Sequence, residues 1–187
     1  MIFLETKLKG AFIIEPDRYK DERGFFARTW CQREFEMLGI NKKPVQSNIS
    51  FNKKKGTLRG LHYQAFPFGE AKLIRCTMGA IYDVFVDLRP ESETYLQWYS
   101  VELTERSRKL LFIPEGFAHG FMTLRDNSEV FYQMSQYYIP DYARGIRWND
   151  PVFGIRWPLE VKVVSDKDRA YPDFVPENRP LTPETAG

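Results

Sequence analysis

The chain of 187 residues holds two histidines, His62 and His119, so any imidazole chemistry draws on one or both. His62 lies in Arg59-Gly60-Leu61-His62-Tyr63-Gln64, where Gly60 leaves room for a molecule to approach the ring. A neutral imidazole, with an ordinary pKa near ~6.5, suits proton abstraction at neutral pH. Such a base needs a carboxylate to orient it, a cation to hold developing negative charge, and an acid to return a proton. The sequence offers each: Asp168 closes Ser165-Asp166-Lys167-Asp168, Lys72 begins Lys72-Leu73-Ile74-Arg75-Cys76-Thr77, and Tyr132 sits within Val130-Phe131-Tyr132-Gln133. Spacing alone does not assemble these groups. Each also fits ordinary surface or core, and a lone strand histidine is more often structural than catalytic. Two imidazoles with no obvious third ligand under-supply a transition-metal site. Cys31 and Cys76 make neither a disulfide framework nor a metal cluster.

The elements that must position these groups read mostly as strands. From Leu58, alternation places Arg59, Leu61 and Tyr63 on one face and Leu58, His62 and Gln64 on the other. In residues 45–51, Gln46, Asn48 and Ser50 share a face; such amides either meet water or hydrogen-bond a sugar or phosphate. Residues 11–16 read as a strand stopped by Pro16, and 25–30 as a strand leaving the turn Asp21-Glu22-Arg23-Gly24. Arg33 to Leu38 has helical spacing ending at Gly39. Residues 72–77 and 80–88 flank Met78-Gly79 and read as a hairpin. Segments 96–103 and 109–113 form a second pair, and 118–124 and 129–138 a third. Short strands between turn signals argue for an all-β sandwich or barrel with a few short helices. One domain is expected over residues 1–187, with an irregular tail from about residue 172 containing Pro176, Pro180 and Pro183.

Composition narrows the class. The chain is 43% hydrophobic and 16% aromatic, which favours β-structure and supplies flat surfaces for stacking on rings. A net charge of +2 is too balanced to imply nucleic-acid binding. Lys53-Lys54-Lys55 reads as a solvated turn between Asn52 and Gly56. No apolar run approaches the ~20 residues that span a bilayer, and the charged Glu5 interrupts any signal-peptide core. A cytoplasmic protein with no membrane partner is expected.

Pro114-Glu115-Gly116-Phe117-Ala118-His119 resembles the second motif of the cupin superfamily, but the place of the first motif's His-x-His reads His62-Tyr63-Gln64. The ordered set Arg59–Gln64, Lys72-Leu73, Asp83-Val84-x-Val86-Asp87-Leu88-Arg89, Pro114–Phe121, Trp148-Asn149-Asp150-Pro151, Trp157-Pro158 and Ser165-x-Lys167-Asp168 resembles the dTDP-4-dehydrorhamnose 3,5-epimerase family. The likeness runs from about residue 10 to about residue 172. It implies a double-sheet jelly roll (a cupin-like barrel), no metal or other cofactor, and a homodimer in which N-terminal strands reach the neighbour. It also implies a nucleoside diphosphate 4-keto-6-deoxyhexose as substrate, epimerised at C3, C5 or both. By this resemblance His62 is the base supported by Asp168, Lys72 steadies the enolate, and Tyr132 is the acid on the opposite face. Arg59 and His119 line the sugar and phosphate site, and Arg23 reaches the diphosphate from the partner. Gln46 and Asn48 hold substrate, Tyr138 and Lys167 add contacts, and Phe26 stacks on the base.

Two positions depart from the family pattern where it binds the pyrimidine: Arg28 stands in place of Glu, and Ala143 in place of an acidic residue. Thymine N3 carries a hydrogen and suits a carboxylate, whereas cytosine N3 accepts and suits a donor such as Arg28. A CDP-linked sugar, or a non-rhamnose dTDP sugar handled by a mono-epimerase, is one consequence; an outward-turned Arg28 is the other. A 3,4-ketoisomerase or metal cupin oxygenase is a further enzyme reading. A catalytically silent sugar-nucleotide-binding jelly roll is the reading from outside enzymes.

Overall fold

The computed structural model describes residues 1–176. Its strands are β1 (Ile2–Glu5), β2 (Phe12–Glu15), β3 (Arg18–Asp21), β4 (Gly24–Ala27), β5 (Gln46–Asn52), β6 (Leu58–Gln64) and β7 (Lys72–Met78), then β8 (Ala80–Asp87), β9 (Trp98–Thr104), β10 (Leu110–Ile113), β11 (Phe117–Thr123), β12 (Ser128–Met134) and β13 (Ala143–Gly145). Helix appears only as α1 (Gln32–Glu36), α2 (Asp166–Arg169) and a 3₁₀ turn at Pro140–Tyr142 among the described residues. Two antiparallel sheets, ordered β1-β2-β10-β7-β12-β5 and β13-β6-β11-β8-β9, face each other as a cupin-like jelly roll, and β3-β4 stands apart as a hairpin.

Alternation along the strands explains the layers. On β8 the odd residues Ile81 and Phe85 meet Ile74, Cys76, Leu111 and Val130 of the other sheet, forming the core between sheets. The even residues Val84 and Val86 face outward and are covered by Ile146 and Phe153. Both faces of β8 are therefore apolar, as its buried run requires. The outer face of the six-stranded sheet is closed by Phe35 of α1 on Ile14, Leu73 and Phe112. Each large apolar side chain so buried contributes about 1.5–3 kcal/mol.

The expected hairpin at Met78-Gly79 does not form, and the two other strand pairs are likewise split between the sheets. β7, β10 and β12 belong to the six-stranded sheet, while β8, β9 and β11 belong to the five-stranded one. Only Gly79 separates β7 from β8, one residue short of a two-residue hairpin loop. Its φ of +74° turns the chain across to the facing sheet instead. For the later pairs the apolar faces decide: Leu103 of β9 and Leu111 of β10 fill one core from opposite sheets.

A second correction concerns β6. Its register with β11 runs His62↔His119, then Arg59↔Phe121, so Gly60 and Leu61 together oppose Gly120. This bulge breaks the alternation and brings Arg59 onto the face of His62, contrary to strict period-two reading. Leu61 is thrown outward onto Val84, Val86 and Ala118. Glycine is required at 60 by its φ of +120° and by crowding, since a Cβ there would lie 2.6 Å from Gly120 Cα.

Residues 172–176 carry no regular element, but Phe174 packs on Phe153 and its N–H donates to Asp150 Oδ2 at 2.6 Å. Pro180 and Pro183 lie outside the described residues. Among the described residues no helix is long and apolar enough to cross a membrane.

Candidate active site

The two sheets enclose a cavity of about 860 Å³. The five-stranded sheet supplies Arg59 and His62 from β6 and His119 from β11; the six-stranded sheet supplies Gln46 and Asn48 from β5, Lys72 from β7 and Tyr132 from β12. The register explains this grouping. Tyr132 lies opposite Asn48, and Met134 lies opposite Gln46 on one side and Lys72 on the other, so all five share the inward face. Tyr138, Lys167 and Asp168 line the same cavity. The structure thus brings together all the sequence-derived candidates except Arg23, Phe26 and Arg28.

Those three belong to or follow the β3-β4 hairpin and do not line this chain's cavity. Arg23 turns back on Asp21, Phe26 is 70% exposed, and Arg28 Nη1 donates to Glu34 Oε1 at 3.0 Å.

His62 Nε2 lies 2.7 Å from Asp168 Oδ1. Burial would push the Asp168 carboxyl up, but the His62 contact, the Gly60 N–H and the Ser165 hydroxyl outweigh it and hold the group below its ordinary value. An ionised carboxylate only accepts, so Nε2 carries the hydrogen and Nδ1 carries the lone pair. His62 is 45% exposed while Asp168 is 5% exposed, which leaves the ring open to the cavity and its anchor covered. Ser165 caps α2 by accepting from the Asp168 N–H at 3.0 Å, and this fixes where the carboxylate begins.

On the facing sheet, burial pushes the Tyr132 hydroxyl up, opposed in part by the charge of Arg59. The phenol therefore keeps its proton at neutral pH and can donate it. Arg59 is itself held by Asn52, with Nε donating to Oδ1 at 2.7 Å. Lys72 Nζ donates to the His62 carbonyl at 3.0 Å and pairs with Glu70 at 2.9 Å, both partners nearly buried. An ammonium has three donors, so one remains for the cavity.

Four participants escape sequence reading. Glu70 accepts from the Gln64 N–H at 2.9 Å while holding Lys72. Asp83 is fully buried and meets His119 Nε2 at 2.9 Å, and its Oδ1 has no partner. Burial raises its pKa, against the pull of His119 and Lys72. A carboxylate inside the otherwise apolar run of β8 is the sequence signal for it. Met134 and Tyr171 also line the cavity, and nothing in their local sequence marks them. Among the described residues no group of three or more His, Cys, Asp or Glu side chains is arranged to hold a metal ion. The cavity therefore offers a carboxylate-anchored base on one sheet, a protonated phenol on the other, and cations between them.

Known proteins share this arrangement's frame. Residues 5–175 match the sequence model of dTDP-4-dehydrorhamnose 3,5-epimerase. The enzyme of that name from Methanothermobacter thermautotrophicus is 46% identical over 172 residues, covering 90% of this chain and 92% of its own. The Bacillus anthracis dTDP-4-dehydrorhamnose 3,5-epimerase, solved with TDP and PPi bound, superposes with a TM-score of 0.89 at 41% identity, covering 92% and 99% of the two chains. The dTDP-6-deoxy-D-glucose-3,5-epimerase of Legionella pneumophila, solved with dTDP-4-keto-L-rhamnose, gives 0.85 at 40% identity over 91% and 90%. Likeness of this depth along nearly the whole sequence makes the chain a member of the dTDP-4-dehydrorhamnose 3,5-epimerase family of isomerases.

Proposed function

We propose that the protein epimerises a dTDP-4-keto-6-deoxyhexose at C3 and C5. The observation that carries this reading is the opposition of the His62–Asp168 pair and Tyr132 across one cavity. Inverting a carbon requires removing a proton from one face and returning one to the other. A base on one sheet and an acid on the facing sheet meet that requirement.

In the first half-step the C4 ketone acidifies the neighbouring hydrogen. His62 Nδ1 takes that proton, and the C–H electron pair moves into the ring to give an enolate with charge on the C4 oxygen. Asp168 stabilises the resulting imidazolium. Lys72 faces the enolate as a fixed donor in a water-poor site, a type of contact worth roughly 10²–10³ in rate. Tyr132 then gives its proton to the carbon from the opposite face, and solvent restores both groups. The second carbon repeats the cycle. Arg59, His119, Gln46, Asn48, Tyr138 and Lys167 bind and orient the sugar nucleotide. The chemistry calls on side chains alone.

The nucleotide is a thymidine diphosphate. The two solved relatives hold TDP and a dTDP-linked sugar, which supports thymine over cytosine, and Arg28 is already paired with Glu34. Arg23 and Phe26, exposed on a hairpin that lines none of its own cavity, are suited to reach a second copy, Arg23 at the diphosphate and Phe26 at the base. The exposed hairpin supports a homodimer in which N-terminal strands reach the neighbour. Incubation with dTDP-4-keto-6-deoxyglucose in deuterated water, followed by NMR, tests the function. Deuterium at both C3 and C5 is expected; deuterium at one carbon makes it a mono-epimerase, and none at either refutes the assignment.

A further inference from the structure

Tyr171 takes no part in the proton transfers above, yet it stands beside the base. On β13, Gly145 is the direct cross-strand partner of His62. Cross-strand partners share a face, so a side chain at 145 would stand against the imidazole. That place is filled from elsewhere. A Cβ built on Gly145 would come within 2.2 Å of Tyr171 Cε2 and Cζ. The Tyr171 ring sits there, edge-on to the imidazole at 6.2 Å between centroids and 67° between planes. Gly145 shows no positive φ, so crowding alone accounts for glycine at this position.

The other flank of His62 is occupied by His119, its partner on β11. An imidazole between two neighbours and anchored at Nε2 has one open side, the cavity. Without the Tyr171 ring there would be a gap over Gly145 into which the imidazole could turn and water could enter. Burial raises the Tyr171 pKa, and the negative charge of Asp168 adds to it, as expected for a ring beside that carboxylate.

From this geometry we infer that Tyr171 is a positioning residue for His62. Its ring, seated over Gly145, confines the imidazole to the rotamer that aims Nε2 at Asp168 and shields that hydrogen bond from water. The inference rests on His62 being the base. The ring does this work, and the hydroxyl is dispensable.

The test compares Tyr171→Ala, Tyr171→Phe and Gly145→Ala in the full chain. Misplacing a catalytic group by an ångström costs up to ~100-fold, so Tyr171→Ala is expected to lower kcat roughly 10–100-fold with little change in KM. Tyr171→Phe restores kcat, and Gly145→Ala, which displaces the ring, lowers it. Proton NMR of the free enzyme supplies a readout independent of turnover. The downfield Nε2–H resonance of His62 persists in the parent and in Tyr171→Phe, and is lost to solvent exchange in Tyr171→Ala. Should Tyr171→Ala fail to fold, Gly145→Ala carries both measurements. A rise in KM with kcat unchanged would make Tyr171 a substrate contact and overturn the inference, as would a Tyr171→Phe as impaired as Tyr171→Ala. An undisturbed resonance in Tyr171→Ala also overturns it. Full activity in His62→Ala would overturn the base assignment instead, which separates the two failures.

Discussion

Replacing Asp168 by Asn tests the base most directly, because the structure makes the outcome lopsided. Asp168 accepts two hydrogen bonds: Oδ1 from His62 Nε2 at 2.7 Å and Oδ2 from the Gly60 N–H at 3.2 Å. An asparagine has one acceptor and one donor end for these two donors. If its oxygen serves Gly60, its NH₂ faces Nε2, which must then accept; the ring hydrogen moves to Nδ1, and the lone pair is no longer aimed at substrate. If its oxygen serves His62, the buried Gly60 N–H loses its partner at about 1–3 kcal/mol. Either way the imidazolium formed in the reaction loses an adjacent negative charge, worth about 4 kcal/mol at 4 Å and an effective dielectric of 20. Loss of that charge raises the barrier by about 3–5 kcal/mol, or roughly 10²–10⁴ in kcat. The assay is deuterium uptake at C3 and C5 under saturating substrate, with circular dichroism to confirm folding. A folded Asp168→Asn enzyme within about fivefold of the parent would refute the claim that Asp168 sets the tautomer and stabilises the imidazolium.

Three further outcomes follow from the same site. Tyr132→Phe is expected to cut formation of the inverted product roughly 10²–10⁴-fold while solvent exchange at the reacting carbons continues, since abstraction by His62 survives; equal loss of both measured by NMR would remove Tyr132 as the acid. Glu70→Gln leaves one acceptor for two buried donors, Lys72 Nζ and the Gln64 N–H, and should destabilise the fold by about 3–5 kcal/mol in urea unfolding; a loss below about 1 kcal/mol would show that the pair is not needed to hold Lys72. Because the folded Asp168 pKa lies below the unfolded value of about 3.9, its stabilisation is complete above that pH and is lost as pH falls through the folded pKa. Acid unfolding of the parent should therefore be steeper below about pH 4 than that of Asp168→Asn, and identical acid limbs would contradict it.

The groups most legible in the sequence were those fixed by local pattern. His62, Lys72, Tyr132 and Asp168 are visible in the sequence as suitable residue types, the first three on alternating strands, but only the family resemblance assembles them into one site. What local pattern cannot carry is which strands become neighbours. The segments around Met78-Gly79 look like a hairpin whether their apolar faces meet side by side or across a core, and packing chooses the second. The bulge at Gly60-Leu61 depends on the close approach of Gly120, sixty residues away in numbering, so the true facing of Arg59 was invisible locally. Glu70, Asp83 and Tyr171 matter through partners that only folding supplies: a lysine two residues on, a histidine on the next strand, and a glycine on a third.

His62 belongs to one sheet and Tyr132 to the other, so nothing covalent or hydrogen-bonded within a single sheet fixes the distance between them. That distance is set by the thickness of the packed layer that includes Ile74, Phe85 and Val130. Facing sheets stand ~10 Å apart because side chains fill the space, and such interiors feel the loss of single methylene groups. These residues act as a spacer for a reaction they never touch. Trimming Phe85 would alter the reach of a proton as well as stability, so the core is also part of the enzyme's mechanical calibration.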